Sequence, residues 1–142
     1  MRSITGKWTG TIVYGELYGP ACNAELFFDL ELTVKKNRIS GIAIDTGGVG
    51  VSPDEAKING VFTGTEIKFV KRYKHFHYTG RDGQTEVDKT KRGFDIHYTG
   101  NYNELQDSFT GAWQIINKQK LFGIITIKKF HSGSGTWNMK RK

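Results

Sequence analysis

The sequence predicts an all-β protein: a single antiparallel up-and-down β-barrel of about eight to ten strands spanning residues 1–142. Alternation of apolar and polar residues, the period of a strand with one buried face, recurs along the chain. Glycine is frequent, with 18 residues against two prolines, and 13% of residues are aromatic, which is typical of short strands joined by tight turns. Because an open sheet of so many strands would expose its edges, we expect the sheet to close.

The composition is that of one globular domain. A chain of 142 residues with 25% charged and 37% hydrophobic residues can bury a core without a disulfide or a structural metal. Cys22 is the single cysteine, which excludes an intrachain disulfide and a cysteine-based zinc site. The first residues contain no apolar signal-peptide core, and no apolar run is long enough to span a membrane, so we expect a cytoplasmic protein.

The strands follow one another with short connections. Glycine-rich or polar stretches at 15–23, 46–55 and 81–91 separate them and are expected to be loops. The predicted strands are 8–14, 24–35, 38–45, 56–63, 66–78, 93–102, 108–117, 121–130 and 135–141.

The second strand has the clearest alternation. Its apolar residues all fall on one face and its charged residues on the other, which implies a sheet with one packed and one solvated side. In the third strand, Ile42 and Ile44 are expected to continue the apolar face. The apolar residues of the second strand are Leu26, Phe28, Leu30, Leu32 and Val34.

A Gly-x-Trp triplet occurs three times and contains all three tryptophans: Gly6-Lys7-Trp8, Gly111-Ala112-Trp113 and Gly135-Thr136-Trp137. In a closed sheet, glycine lets a neighbouring backbone or ring approach closely, and the indole fills the space at the end of the barrel. We therefore expect the three indoles to belong to the core.

The opening triplet, followed by a meander of this length, resembles the calycin group of lipocalins, fatty-acid-binding proteins and avidins. The segments 5–9 and 62–65 are similar to avidin-type chains in particular. The resemblance implies a lipocalin- or avidin-like barrel around a ligand, and it leaves an oligomer open because avidin-like chains tetramerise. It implies no specific ligand, since Gly10 stands where avidins carry a biotin-contacting asparagine, and residues 137–142 lack the Arg-x-Tyr carboxylate clamp of fatty-acid-binding proteins.

A barrel of about this strand number either fills its interior with side chains or holds one small ligand. We predict non-enzymatic binding of a small, partly hydrophobic or aromatic ligand, with no cofactor, no catalytic residue and no metal ligand. Tyrosines are favoured as contacts because a buried hydroxyl needs a hydrogen-bond partner. The candidate lining is Tyr14, Phe28, Phe69, Tyr73, Tyr98 and Trp113.

The first alternative is a metal-dependent barrel enzyme. His75 and His77 point the same way on a strand, and a symmetric hairpin would place His97 opposite His75 and Asp95 opposite His77. The apolar residues argue against this cluster, because they place His75 and His77 inside the barrel but Asp95 and His97 outside.

The second alternative is an interaction module that binds a polyanion or a protein through a basic outer face. Residues 1–65 carry six Lys/Arg against seven Asp/Glu, a net −1, whereas residues 66–142 carry fifteen against seven, a net +8. Arg72, Lys74, Phe76 and Tyr78 would combine charges with rings on one face. Nucleic acid is disfavoured as the partner, because neither an RNP-type motif nor a helix-turn-helix is present.

Overall fold

A computed structural model of the chain describes residues 3–79, 85–121 and 126–142. Within these ranges the backbone forms ten strands and one short 3-10 segment, Glu16–Ala21. The strands are β1 (Gly6–Tyr14), β2 (Glu25–Lys35), β3 (Arg38–Gly48), β4 (Ala56–Phe62), β5 (Glu66–Tyr73), β6 (Phe76–Thr79), β7 (Thr85–Asp88), β8 (Asp95–Asn103), β9 (Ser108–Leu121) and β10 (Thr126–Arg141).

Eight of the strands close into an antiparallel barrel in the order β1-β10-β9-β8-β5-β4-β3-β2. Each strand pairs with its neighbour in the chain, and β1 pairs with β10 to complete the circle. The hairpin β6–β7 is separate and lies in the connection between β5 and β8. The predicted fold class, an all-β up-and-down barrel, is therefore confirmed.

The core is the interior of this barrel, and β2 shows why. Leu26, Phe28, Leu30 and Leu32 are all buried, as their alternation predicts, while the residues between them face outward. These side chains meet the inward residues of the other strands in one hydrophobic cluster.

The face predicted for β3 is wrong. Ile42 and Ile44 are 46% and 48% exposed, whereas Ala43 and Asp45 are buried. The register explains the difference, because Leu30 of β2 pairs directly with Ala43 and directly paired residues share a face. The inward position after Ala43 therefore belongs to a carboxylate.

The recurrent Gly-x-Trp triplets have a shared structural role in β9 and β10. The two strands are antiparallel, and their register places Gly135 opposite Trp113 and Gly111 opposite Trp137. Gly135 leaves room for the indole of Trp113, whereas Gly111 allows the backbone of Thr99 and Gly100 to approach closely. A Cβ atom at Gly135 would lie 2.8 Å from Nε1 of Trp113 and 1.9 Å from the carbonyl oxygen of Val13. The prediction that the tryptophans are core residues is confirmed.

One end of the barrel is closed by Trp8. Its Nε1 donates a hydrogen bond of 2.9 Å to the carbonyl oxygen of Ile4, and the guanidinium of Arg141 lies 4.5 Å from its ring centroid. Arg141 also forms an ion pair with Asp107, with Nε and Oδ2 2.6 Å apart. The opposite end of the barrel, where β1 ends at Tyr14, contains a cavity.

None of the helical segments in the described ranges has the length and apolar character needed to cross a membrane.

Candidate ligand cavity

A cavity of about 430 Å³ occupies the end of the barrel where β1 finishes. Its wall comes from the barrel strands, from the 3-10 segment through Tyr18, from the turn after β3 through Val49 and Gly50, and from β6 through His77 and Tyr78. Tyr78 is half-exposed and marks the rim. The aliphatic part of the wall is formed by Ile12, Leu26, Val49, Ile96 and Ile115.

Four of the six residues proposed from sequence as ligand contacts lie on this wall: Tyr14, Tyr73, Tyr98 and Trp113. The other two belong to the core beneath it. Phe69 stacks on Tyr98 with ring centroids 4.6 Å apart and an interplanar angle of 9°. Phe28 faces the ammonium of Lys71 across 5.4 Å.

Several wall residues were missed by sequence reasoning. Tyr18 lies in a segment expected to be a loop, where no alternation indicates which way a side chain points. Its ring packs 4.8 Å from Tyr14 and 5.9 Å from Trp113, so the 3-10 segment covers part of the barrel end. Phe94 precedes β8 and contacts Phe76 of the hairpin at 4.9 Å.

A buried ion pair lies beneath the wall. Lys71 is 2% exposed, and its Nζ is 3.6 Å from Oδ1 of Asp45. The Tyr73 hydroxyl lies 2.9 Å from both carboxylate oxygens of Asp45, and the backbone N–H of Ser52 donates a 2.9 Å hydrogen bond to Oδ2. The carboxylate is therefore held by β5, through Lys71 and Tyr73, and by the segment that follows β3, through Ser52.

Aromatic rings surround the ammonium of Lys71. Its Nζ lies 4.8 Å from the ring centroid of Tyr73 and 5.9 Å from that of Tyr98, in addition to the contact with Phe28. Burial lowers the pKa of Lys71, while the charge of Asp45 opposes this shift. The cation is balanced by one carboxylate and by the negative faces of the rings.

The inward position of Lys71 was available from the sequence. Ile67, Phe69, Lys71 and Tyr73 are alternate residues of β5, so the apolar face predicted from Ile67 and Phe69 also contains the lysine. Asp45 was hidden by the wrong face assigned to β3. Asp45 could therefore be identified as the partner of Lys71 only from the register of β2 and β3.

Tyr98 differs from the other polar residues of the wall. It is 2% exposed, and its hydroxyl is the one buried side-chain N or O atom without a hydrogen-bond partner in the part of the chain that the structure describes. Burial raises the pKa of Tyr98 well above its ordinary value, with the charge of Asp45 adding to the shift, so the phenol stays protonated.

The two histidines of the alternative metal site, His75 and His77, have different surroundings. His77 lines the cavity and its ring meets Tyr73 edge-on at 4.7 Å, whereas His75 pairs through Nδ1 with Oδ2 of Asp54 at 2.9 Å. Burial lowers the pKa of His77, so its imidazole is neutral at pH 7.

The predicted pairing of these histidines with β8 is wrong. β8 pairs Asp95 with Arg72 and His97 with Val70, because the chain leaves the barrel after Tyr73. Across the described ranges, His, Cys, Asp and Glu form no group of three that could hold a metal ion.

Of the basic and aromatic residues grouped by the second alternative, Phe76 and Tyr78 stack on each other with ring centroids 5.9 Å apart. Arg72 forms an ion pair with Asp95, Phe76 packs against Phe94, and Tyr78 lies at the rim of the cavity. That the protein binds a partner through a basic outer face stays a prediction.

Comparison of the sequence with protein-family models and with curated proteins, and of the fold with solved structures, found no match. The arguments for function therefore come from the cavity itself.

Proposed function

We propose that this protein binds a small, partly hydrophobic molecule in the cavity at the open end of its barrel, without catalysing a reaction. The observation that carries the proposal is the cavity, whose volume of about 430 Å³ and largely aromatic and aliphatic wall suit a small organic ligand. The opening Gly6-x-Trp8 and the closed eight-stranded barrel support a relationship to calycins, whose barrels enclose ligands.

The polar atoms of the wall support binding rather than catalysis. The hydroxyl of Tyr14 donates to the carbonyl oxygen of Val49 at 2.7 Å, and Nε1 of Trp113 donates to that of Thr136 at 3.1 Å. These groups are held by the backbone. Burial is the main cause that raises the pKa values of four wall tyrosines, so they remain protonated at neutral pH: Tyr14, Tyr18, Tyr73 and Tyr98. Apart from the imidazole of His77, these neutral groups suit the positioning of a ligand more than the supply of a nucleophile.

The proposal is tested with prodan, a neutral naphthyl ketone whose emission changes on leaving water. We expect saturable binding that excess 2-acetylnaphthalene displaces. Ala21→Trp places an indole in the cavity from the 3-10 segment, outside the strands, and is expected to weaken prodan binding at least about tenfold.

The matched control is Leu105→Trp, which puts the same side chain at a fully exposed turn between β8 and β9. It should bind prodan as the wild type does. Absence of saturable binding, or equal binding by the two tryptophan variants, would contradict the proposal.

A further inference from the structure

We propose that the ligand is uncharged where it enters deepest, and that an oxygen acceptor at that end receives a hydrogen bond from the Tyr98 hydroxyl. This inference rests on the proposed function and specifies its ligand class: an apolar, ring-containing body with one carbonyl or similar neutral oxygen.

The first argument is the unused donor. Tyr98 lies on the cavity wall, with Phe69 stacked on its ring and Trp137 edge-on at 5.7 Å behind it. A buried hydroxyl without a partner costs more free energy than a hydrogen bond usually contributes, so native interiors rarely contain one. The hydroxyl has no partner among the residues that the structure describes, and its oxygen has almost no accessible surface. A ligand oxygen beside Tyr98 would supply the missing partner once the neighbouring side chains shift to admit it.

The second argument is that neighbouring polar groups are already engaged. Tyr14 donates to Val49, Tyr73 donates to Asp45, and Trp113 donates to Thr136. At each of these three groups a ligand oxygen would have to replace an existing acceptor, whereas at Tyr98 it would gain a new bond without breaking one.

The third argument is the charge balance beneath the wall. Lys71 and Asp45 offset each other, and neither lines the cavity. His77 is neutral at pH 7 because burial lowers its pKa, and Tyr73 and Tyr98 keep their protons because burial raises theirs. A carboxylate or an ammonium on the ligand would lose its water here without meeting an opposite free charge, which is costly.

The test compares two probes of the same shape, 2-acetylnaphthalene and 2-isopropenylnaphthalene, in which a C=O group is replaced by C=CH2. Each displaces prodan from the wild type and from Tyr98→Phe. We expect Tyr98→Phe to weaken the ketone about 3- to 10-fold, the size of one neutral hydrogen bond, and to leave the hydrocarbon unchanged. For each probe, the dissociation constant for Tyr98→Phe is divided by that for the wild type. The hydration of the free probe is the same in both measurements and cancels in this ratio.

Tyr102→Phe is the matched control, because it removes a hydroxyl at the opposite end of the barrel, where Tyr102 donates to Asp107 at 2.6 Å. Both probes should bind this variant as they bind the wild type. A second readout uses ligand-free protein: Tyr98→Phe should melt at the same temperature as the wild type or higher, because phenylalanine needs no partner.

Equal changes for both probes, or no change for either, would overturn the inference while leaving ligand binding intact. A clear fall in the melting temperature of ligand-free Tyr98→Phe would also overturn it, because the hydroxyl would then already be bonded. If prodan and both naphthalenes fail to bind the wild type, the proposed function itself fails and the inference falls with it.

Discussion

At the scale of single residues, the interior charge is the main departure from an apolar core. Lys71 and Asp45 are both buried, and the carboxylate also accepts hydrogen bonds from Tyr73 and Ser52. Such a pair contributes little net stability, but removal of one partner leaves the other charge buried without compensation. Loss of either partner would therefore destabilise the fold by much more than the intact pair stabilises it.

We expect Asp45→Asn to lower the free energy of unfolding by roughly 3–5 kcal/mol, because it strands the ammonium of Lys71. The double variant Asp45→Asn, Lys71→Met should be more stable than Asp45→Asn alone, since the second change removes the stranded charge. Urea unfolding of both proteins measures the difference.

Asp95→Asn is the control for this pair. Asp95 pairs with Arg72, and both side chains are more than a third exposed, so its loss should cost at most about 1 kcal/mol. A double variant no more stable than Asp45→Asn would show that Lys71 is not the group destabilised by the substitution.

His77 should make stability depend on pH. Burial lowers its pKa in the folded protein below the ordinary value of 6.5, so the unfolded chain binds more protons as the pH falls through 6.5. The free energy of unfolding should therefore be highest above that pH and decrease on acidification. Thermal melts at pH 7.5 and 5.5 should show a larger loss for the wild type than for His77→Gln.

The control is His97→Gln, which removes a histidine from the outer face of β8 and should retain the wild-type loss. A loss in His77→Gln as large as that of the wild type would assign the pH dependence to other groups.

At the scale of elements, the pairing of β9 with β10 explains why glycine and tryptophan recur together. The glycine of each triplet lies across from the tryptophan of the other. The motif is therefore a cross-strand feature, and its meaning depends on the register of two strands.

We expect Gly135→Ala to destabilise the protein by about 1–3 kcal/mol, because the new methyl group meets both the Val13 carbonyl and the Trp113 indole. Gly47→Ala is the matched control. The nearest atom to its new Cβ is 4.0 Å away, in Phe27, so the change should stay within about 0.5 kcal/mol. Equilibrium denaturation compares the two, and equal effects would contradict the close approach inferred at Gly135.

At the scale of the whole molecule, closure joins the two ends of the chain. The seven pairs from Trp8–Arg141 to Tyr14–Gly135 connect β1 to β10, the first and last strands of the described chain. The barrel is complete only when the last strand is in place.

A chain that ends at Ser134 should therefore lose cooperative thermal unfolding, because β1 would lose all seven of its pairs with β10 and β9 would lose the six from Trp113 to Ser108. Deletion of Lys142 alone is the control. It removes an ion pair with Asp29 at 2.6 Å and one backbone hydrogen bond to Lys7, and should shift the melting temperature only slightly. A cooperative transition in the truncated chain would show that closure is dispensable.

The sequence by itself determined the fold class and most of the strands. It was wrong in joining β5 and β6 into one strand 66–78, in placing β7 in a loop 81–91, and in dividing β10 into strands 121–130 and 135–141. Alternation is a local property, and in β2 it identifies the buried residues one by one. The number of strands, with glycine at the turns, then required a closed sheet. Tyr14, Tyr73, Tyr98 and Trp113 were also placed in the interior on this basis, and the structure locates them on the cavity wall.

Tertiary structure decided what the sequence could not. The inward face of β3 depended on pairing with β2, which turned Ile42 and Ile44 outward and brought Asp45 to Lys71. The end of β5 at Tyr73 separated His75 from His97. Register and strand ends are set by contacts between residues distant in the chain, and local alternation carries no information about them, so the polar site beneath the cavity emerged only from the closed barrel.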